Sequence, residues 1–364
     1  MFAQGPSTPS ARPGSPAASF LRRCRPVVEV ALYVFVALAS IAGCRKTAAT
    51  VQGHEASLLI AAYDPARSLV AEAKERFVAE EAARGTQVTV RESFGGSGKQ
   101  ARAVIDGLAA DVVLLALEDD VDALADAKVL RASWKHGREN NLAPYTSTVV
   151  FLVRGGNPKG IRDWNDLARA DVALVAPNPK SSSAAKLTYL AAWGWALRQP
   201  GGSEQTAEAL VRALYTKAVA LDATARAATT TFVQNGIGDV LVTWENEAYL
   251  ARDEAKSSPL DVVLPSASIV AEPAVALVDA NVDAHGTREL AERFVATLAS
   301  PEGQESAARA HLRPRDAKTL AAHRAELGEL ALFTVDEVFG SWSAAKAAHF
   351  ANGARLDRIL EARR

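Results

Sequence analysis

Cysteine is scarce in this chain of 364 residues. Its two cysteines stand at positions 24 and 44, and no thiol follows. That excludes a disulfide framework and a Cys-ligated metal from the long remainder of the chain. Six histidines are scattered without metal-ligand spacing, and no Ser/His/Asp arrangement is evident. Charge of one sign is missing too. With 41 Lys and Arg against 42 Asp and Glu, the formal net charge is −1. No bulk positive field draws in nucleic acid or an acidic surface, so an anionic ligand would have to be held by local geometry. The apolar stretch from Val27 to Ile41 is interrupted by Glu29 and is short for a bilayer span. No internal repeat is present. What remains is a composition 49% hydrophobic and 23% charged, the balance of a soluble globular protein long enough for two lobes.

The first 44 residues read as a separate object. Residues 1–20 are rich in Pro, Ser, Ala and Gly and are expected to be disordered. Arg22, Arg23 and Arg25 then precede the apolar stretch, the charge pattern of a secretory signal. The segment Ile41-Ala42-Gly43-Cys44 resembles the lipobox of bacterial lipoproteins, which implies lipidation of the Cys44 thiol. The expectation is an exported body, periplasmic or at the cell surface, anchored at Cys44 and joined through a polar tether at 45–56. An uncleaved anchor, or a signal end with a chance Cys, is the alternative.

From Ser57 strands and helices alternate. Leu58–Ala62, Val88–Val90 and Asp111–Leu115 read as strands, with helices expected at Pro65–Arg84 and Gly98–Leu108. A second set has strands at Thr148–Val153, Val172–Val175 and Asp239–Val242 and a helix at Ala184–Leu197. Asp261–Leu264 and Ala274–Val278 read as strands returning to the first lobe, and Gly286–Ala299 and Gln304–His311 as closing helices. Such alternation predicts an α/β chain with parallel sheets. The expected arrangement is two lobes with a ligand cleft between them. Lobe 1 takes 57–146 and 252–330, lobe 2 takes 147–251, and 331–364 packs on both.

Five strand-to-helix corners have the composition of anion-binding sites. Tyr63-Asp64-Pro65 places an N-cap residue before a first-turn proline. Gly95-Gly96-Ser97-Gly98-Lys99-Gln100 is glycine-rich at a helix start, and its amides and the Ser97 hydroxyl suit a small anion. It is not a nucleotide P-loop, because Ser93 and Gln100 stand where that motif needs Gly and Ser or Thr. Lys99 reads as a solvated rim residue. Ser181-Ser182-Ser183-Ala184 offers hydroxyls and free amides at a helix start. Thr224-Ala225-Arg226 opens another helix, and Trp244 follows a strand. Taken one at a time, a plain helix cap or a packed Trp explains each corner as well or better. Together they are mostly neutral donors, which suits an anion that only accepts hydrogen bonds. Sulfate is such an anion, whereas hydrogen phosphate also needs an acceptor for its O–H. The Asp64 carboxylate must then point away from the ligand.

In this order and spacing the segments resemble the periplasmic sulfate-binding proteins of sulfate/thiosulfate ABC importers. The carrying stretches include Tyr63-Asp64-Pro65-Ala66-Arg67, Gly95 to Gln100, Ala143 to Thr148, Asn178 to Ser182, Gly236 to Val240, Trp244 to Glu247 and Arg313 to Asp316. Phe339-Gly340-Ser341-Trp342 and His349 to Gly353 continue the match to the C-terminal region. The resemblance implies a two-lobed type II periplasmic-binding-protein fold that closes on its ligand. It implies amide donors at Asp64, Ser97, Ser183, Ala184 and Ala225, side-chain donors at Ser182 and Trp244, and support from Arg226 behind them. It also implies delivery to the permease and ATPase subunits of an importer by a monomer, with no cofactor and no metal. This chain departs from the family pattern at Ser183 and Ala184, where two glycines are expected, and at Ala227 and Ala228. Thiosulfate, or another tetrahedral oxyanion such as molybdate, is the close alternative ligand. An exported enzyme acting on sulfate or phosphate esters is the alternative from another class. A tethered adhesion or chaperone module leaves the amide-rich corners unexplained.

Overall fold

The computed structural model describes residues 55–135, 143–255, 258–361 and 363. Cys44, the signal segment and most of the tether lie outside the described residues. Four strands build a smaller sheet: β1 (Glu55–Tyr63), β2 (Gln87–Gly95), β3 (Val112–Leu115) and β10 (Ala274–Leu277). Their order is β10-β3-β1-β2. The first three strands run parallel and β10 antiparallel.

Side chains alternate along these strands, so each strand feeds two cores. Leu58, Ile60 and Ala62 of β1 enter one core with Val112 and Leu114 of β3. Ala61, Val113 and Leu115 enter the other. Between the strands lie α1 (Arg67–Ala83), preceded by a 3₁₀ turn at Asp64–Ala66, α2 (Ser97–Ile105) and α3 (Glu118–Asp126).

The larger sheet is built on β4 (Tyr145–Arg154), with β5 (Leu174–Pro177), β6 (Ala220–Asp222), β7 (Val240–Trp244), β8 (Leu260–Val263), β9 (Ala267–Ala271), β11 (Arg313–Pro314) and β12 (Ala331–Phe333). Its order is β12-β9-β4-β7-β5-β6, and β8 and β11 also pair with β4. β5 is parallel to both β6 and β7. Val149, Phe151 and Val153 of β4 face the main core, whereas Val150 and Leu152 face the opposite one.

The helices of this half are α4 (Ser183–Leu197), α5 (Glu204–Lys217), α6 (Ala225–Val233) and α7 (Glu245–Glu254). α4 is apolar on every side and buried almost throughout, which makes it a core helix rather than an amphipathic cover. Three further helices, α8 (Asp279–His285), α9 (Arg288–Ala299) and α10 (Pro301–Arg309), follow the smaller sheet. The short α11 (Arg355–Glu361) closes the described chain. Among the described residues no helix is long and apolar enough to cross a membrane.

The α/β reading is met, but the sheets are mixed rather than parallel: β10 runs antiparallel to β3, and β4 pairs antiparallel with β7, β8, β9 and β11. The range 252–330 was expected in the first lobe, with Asp261–Leu264 as one of its strands, but β8, β9 and β11 of that range all belong to the larger sheet. β8 pairs antiparallel with β4, Phe151 opposite Val263 and Arg154 opposite Leu260. Phe151 to Val153 of β4 pair with β7 on one side, and β8 satisfies their backbone groups on the other. β10, by contrast, returns to β3 as expected.

Candidate functional site

Five of the chain turns that follow β1, β2, β5, β6 and β7 lead directly into helices. In open α/β sheets this edge is where ligands are held, because helix N-termini present unpaired N–H groups there. Four of the turns line one small, partly open space. Tyr63, Asp64 and Pro65 come from the first, Gly95, Gly96 and Ser97 from the second, Ser182 and Ala184 from the third, and Thr224, Ala225 and Arg226 from the fourth. The cavity measures about 20 Å³. That is enough for an ion or a water, which needs roughly 10–15 Å³, and far below the roughly 300 Å³ at which organic ligand pockets begin. A nucleotide or a sugar does not fit.

Two of the helix starts are fixed by side-chain caps. The Ser182 hydroxyl accepts from the Ala185 amide at 3.4 Å, and the Thr224 hydroxyl accepts from the Ala227 amide at 3.1 Å. The earlier amides at Ser97, Ser183, Ala184 and Ala225 have no carbonyl four residues back within their own helices, so they remain as donors.

The directions of the hydroxyl protons can be worked out from their partners. Ser97 Oγ accepts from the Ala116 amide at 2.9 Å and donates to Asp120 Oδ2 at 2.5 Å. Ser183 Oγ donates to Asp120 Oδ1 at 2.9 Å. Ser181 Oγ donates to the Ala223 carbonyl at 3.0 Å. The sequence reading offered the Ser97 hydroxyl and the whole serine run as hydroxyl donors to an anion. That is corrected here, because three of the four protons are already given to protein acceptors. Ser182 is different: its oxygen caps the helix and its proton is uncommitted.

Asp120 therefore ties two corners together. It is buried, and desolvation pushes its pKa up, against the lowering effect of the Ser97 and Ser183 hydroxyls. Sequence reasoning missed this residue. Glu118-Asp119-Asp120 looks like an ordinary acidic helix start, and nothing local signals the distant serines.

Trp244 ends β7 and is fully buried. Its ring lies 5.6 Å from that of Tyr63, which lines the cavity, at an interplanar angle of 58°. The Tyr63 hydroxyl is paired with that of Tyr145 at 2.9 Å. Among the described residues, Trp244 Nε1 has no hydrogen-bond partner. An indole N–H left unpaired in a core costs about 1–3 kcal/mol; Trp193 Nε1 is unpartnered too, but Trp244 is the one packed on a ring that lines the cavity. The Asn246 amide group donates to the Pro65 carbonyl at 2.9 Å and fixes α7 against the first corner.

Of the residues lining the cavity, only Asp64 and Arg226 carry charge. Asp64 Oδ1 accepts from Arg67 at 3.2 Å, which engages its carboxylate with a neighbouring cation, as an anion site requires. Arg226 is 55% exposed, and its Nη1 stands 3.7 Å from Glu247 Oε2. Glu247 is buried and its pKa is raised, chiefly by desolvation, with Arg226 opposing. Lys99 is exposed, as expected of a rim residue. Thus Asp64, Ser97, Ser182, Ala184, Ala225 and Arg226 come to one cavity. Ser183 sits behind it on Asp120, and Trp244 flanks it through Tyr63. Among the described residues no group of three or more His, Cys, Asp or Glu could hold a metal ion.

Comparison with known proteins gives the following. Residues 58–313 match the family model described as bacterial extracellular solute-binding protein. The chain is similar to the sulfate-binding protein of Escherichia coli, 49% identical over 313 residues, covering 86% of this chain and 95% of that one. It is similar to the thiosulfate-binding protein of Pseudomonas aeruginosa, at 44% identity over 83% of this chain and 91% of the other. Among solved structures it resembles the sulfate-binding protein SubI from Mycobacterium tuberculosis. That match has a TM-score of 0.73 and 32% identity, and covers 81% of this chain and 99% of that one.

Proposed function

The chain belongs to the family of bacterial extracellular solute-binding proteins, and from that membership we propose that it captures sulfate outside the cytoplasm and delivers it to an ABC importer. The observation that supports this most is the buried, unpartnered Trp244 indole N–H beside an ion-sized cavity ringed by helix starts. Apart from Arg226 the donors there are neutral, and of the buried carboxylates nearby Asp120 is engaged by two hydroxyls while Glu247 stands 3.7 Å from Arg226. A cavity lined mainly by donors favours sulfate, which asks for donors alone, over hydrogen phosphate, whose O–H needs an acceptor. Helix dipoles and amides offset the charge of the dianion, with Arg226 at the rim.

In this reading the protein binds and releases its ligand without chemistry. The smaller and larger sheets frame two lobes that close over the anion by hinge motion. Lobe 1 is built on 57–146 and the returning part of 252–330, lobe 2 on 147–251. Residues 331–364 brace both. A lipid on Cys44 tethers the monomer to the membrane, near the permease and ATPase that receive the sulfate. Thiosulfate is the second reading, favoured by the 44% identity to a thiosulfate-binding protein.

The test is retention of radiolabelled sulfate by the purified protein in competition with unlabelled anions. One sulfate per chain is expected, displaced by sulfate and not by phosphate. Displacement by phosphate at similar concentration overturns the assignment. For the anchor, Cys44→Ser should abolish acyl labelling in cells, and a persisting label refutes it.

A further inference from the structure

We propose that Ser183 and Ala184 make this cavity selective by size, admitting sulfate and turning away larger tetrahedral anions, thiosulfate and molybdate among them. The inference rests on the anion-site reading above and goes further, since it separates ligands that the donor set alone treats alike.

Thiosulfate replaces one oxygen of sulfate by a larger sulfur on a longer bond. Molybdate has longer metal–oxygen bonds throughout. Either needs a wall that can retreat, and two features of this wall oppose that. First, Ala184 lines the cavity and is only 8% exposed, so its methyl occupies space that a glycine would leave to the ligand. Second, the helix start carrying Ala184 is braced. The Ser183 hydroxyl is held by Asp120 at 2.9 Å, and Asp120 also holds Ser97, whose oxygen is fixed by the Ala116 amide. The brace joins the corner after β5 to the corners after β2 and β3, so moving one wall means breaking bonds to a buried carboxylate. Gly98 packs against the same brace, and a Cβ there would stand 3.0 Å from Ser183 Oγ. Ser183 therefore has no slack on that side. The cavity of about 20 Å³ is the space this arrangement leaves.

A methyl-sized change in a tight site is worth roughly 10–200-fold in discrimination. The experiment is calorimetry of the purified protein and its Ala184→Gly and Ser183→Ala variants with sulfate, thiosulfate and molybdate. The natural protein should prefer sulfate over thiosulfate by at least about tenfold. Ala184→Gly should shrink that preference by about tenfold, mostly through tighter thiosulfate binding. Ser183→Ala keeps the Cβ and frees the brace, and should shift the ratio the same way by less. Ser182→Ala serves as the control: it removes a donor, not a wall, and should weaken both anions alike.

Equal affinity of the natural protein for sulfate and thiosulfate overturns the inference while leaving the oxyanion receptor intact. So does an unchanged ratio in Ala184→Gly, provided its thermal unfolding stays cooperative. Phosphate binding, or no binding of any of these anions, overturns the underlying reading and this inference with it.

Discussion

Replacing Trp244 by Phe removes one N–H and leaves most of the ring. The indole nitrogen is buried and has no partner among the described residues, so its loss costs the unliganded protein no hydrogen bond. The loss falls on the complex. A hydrogen bond to a charged acceptor is worth about 1.5–3 kcal/mol, which is about one to two decades in Kd. Stability should fall separately, through the thinner contact with Tyr63 at 5.6 Å. Trimming a buried aromatic by part of a ring costs on the order of 1–2 kcal/mol, which shifts the unfolding midpoint without touching affinity directly. The two effects are read by different assays, titration calorimetry at saturating stability and urea unfolding without sulfate. A variant that unfolds earlier and binds sulfate as tightly as the natural protein refutes the role of the indole, and with it the argument from the orphaned donor.

Three further outcomes are expected. Ser182→Ala should weaken sulfate binding by about tenfold, the worth of one hydroxyl donor to an anion, and an unchanged Kd removes Ser182 from the site. Affinity should vary little between about pH 6 and 8, since sulfate carries no proton there; a steep slope in calorimetry points to a titrating ligand or wall. Acid stability should depend on His349, 2% exposed and paired with the Tyr189 hydroxyl at 3.1 Å. Burial, then the charge of Arg355, pushes its pKa down to about 4. The unfolded ring takes up its proton near pH 6.5, so below that the unfolded state binds one proton more. Stability contributed by the neutral ring is thus lost as pH falls from about 6.5 towards 4, by up to about 3 kcal/mol. Urea unfolding of His349→Phe should lack this part of the acid loss, and an undiminished loss assigns it to other groups.

Much of the fold was legible because strand and helix alternate with little between them. β1, β3 and β10 fall where the apolar runs stand, and α4 begins one residue before its expected start, at Ser183 behind its Ser182 cap. The sheet that holds Asp261–Leu264 was not legible. Antiparallel pairing with β4 is decided over a hundred residues away in sequence, and an apolar run carries no mark of its partner. Nor were α5 and α3 read, since their polar faces blur the periodic signal.

At the site, the corners were visible as composition, but what each hydroxyl does was not. Ser97 and Ser183 looked like donors to a ligand and are donors to Asp120. That meeting of three segments exists only in the folded chain. Trp244 shows the reverse case. Taken alone it reads as packing, and its burial agrees with that; a missing partner for Nε1, which Trp193 shares, matters here because Trp244 packs on Tyr63 at the cavity wall. Ser183 and Ala184 stood out only as a departure from the family pattern; in the folded chain Ser183 holds Asp120 and Ala184 lines the cavity.

The most direct test of the account is the position of the anion itself. Crystals grown without sulfate and soaked in selenate, a tetrahedral analogue, would locate the ligand by the anomalous signal of selenium. The account predicts a single strong peak inside the cavity bounded by Ser97, Ser182, Ala184 and Ala225, with an oxygen in hydrogen-bond contact with Trp244 Nε1 and no Lys or Arg nitrogen in contact. A peak held by Arg226 or another cation, or one away from these helix starts in a protein that binds sulfate in solution, would contradict it.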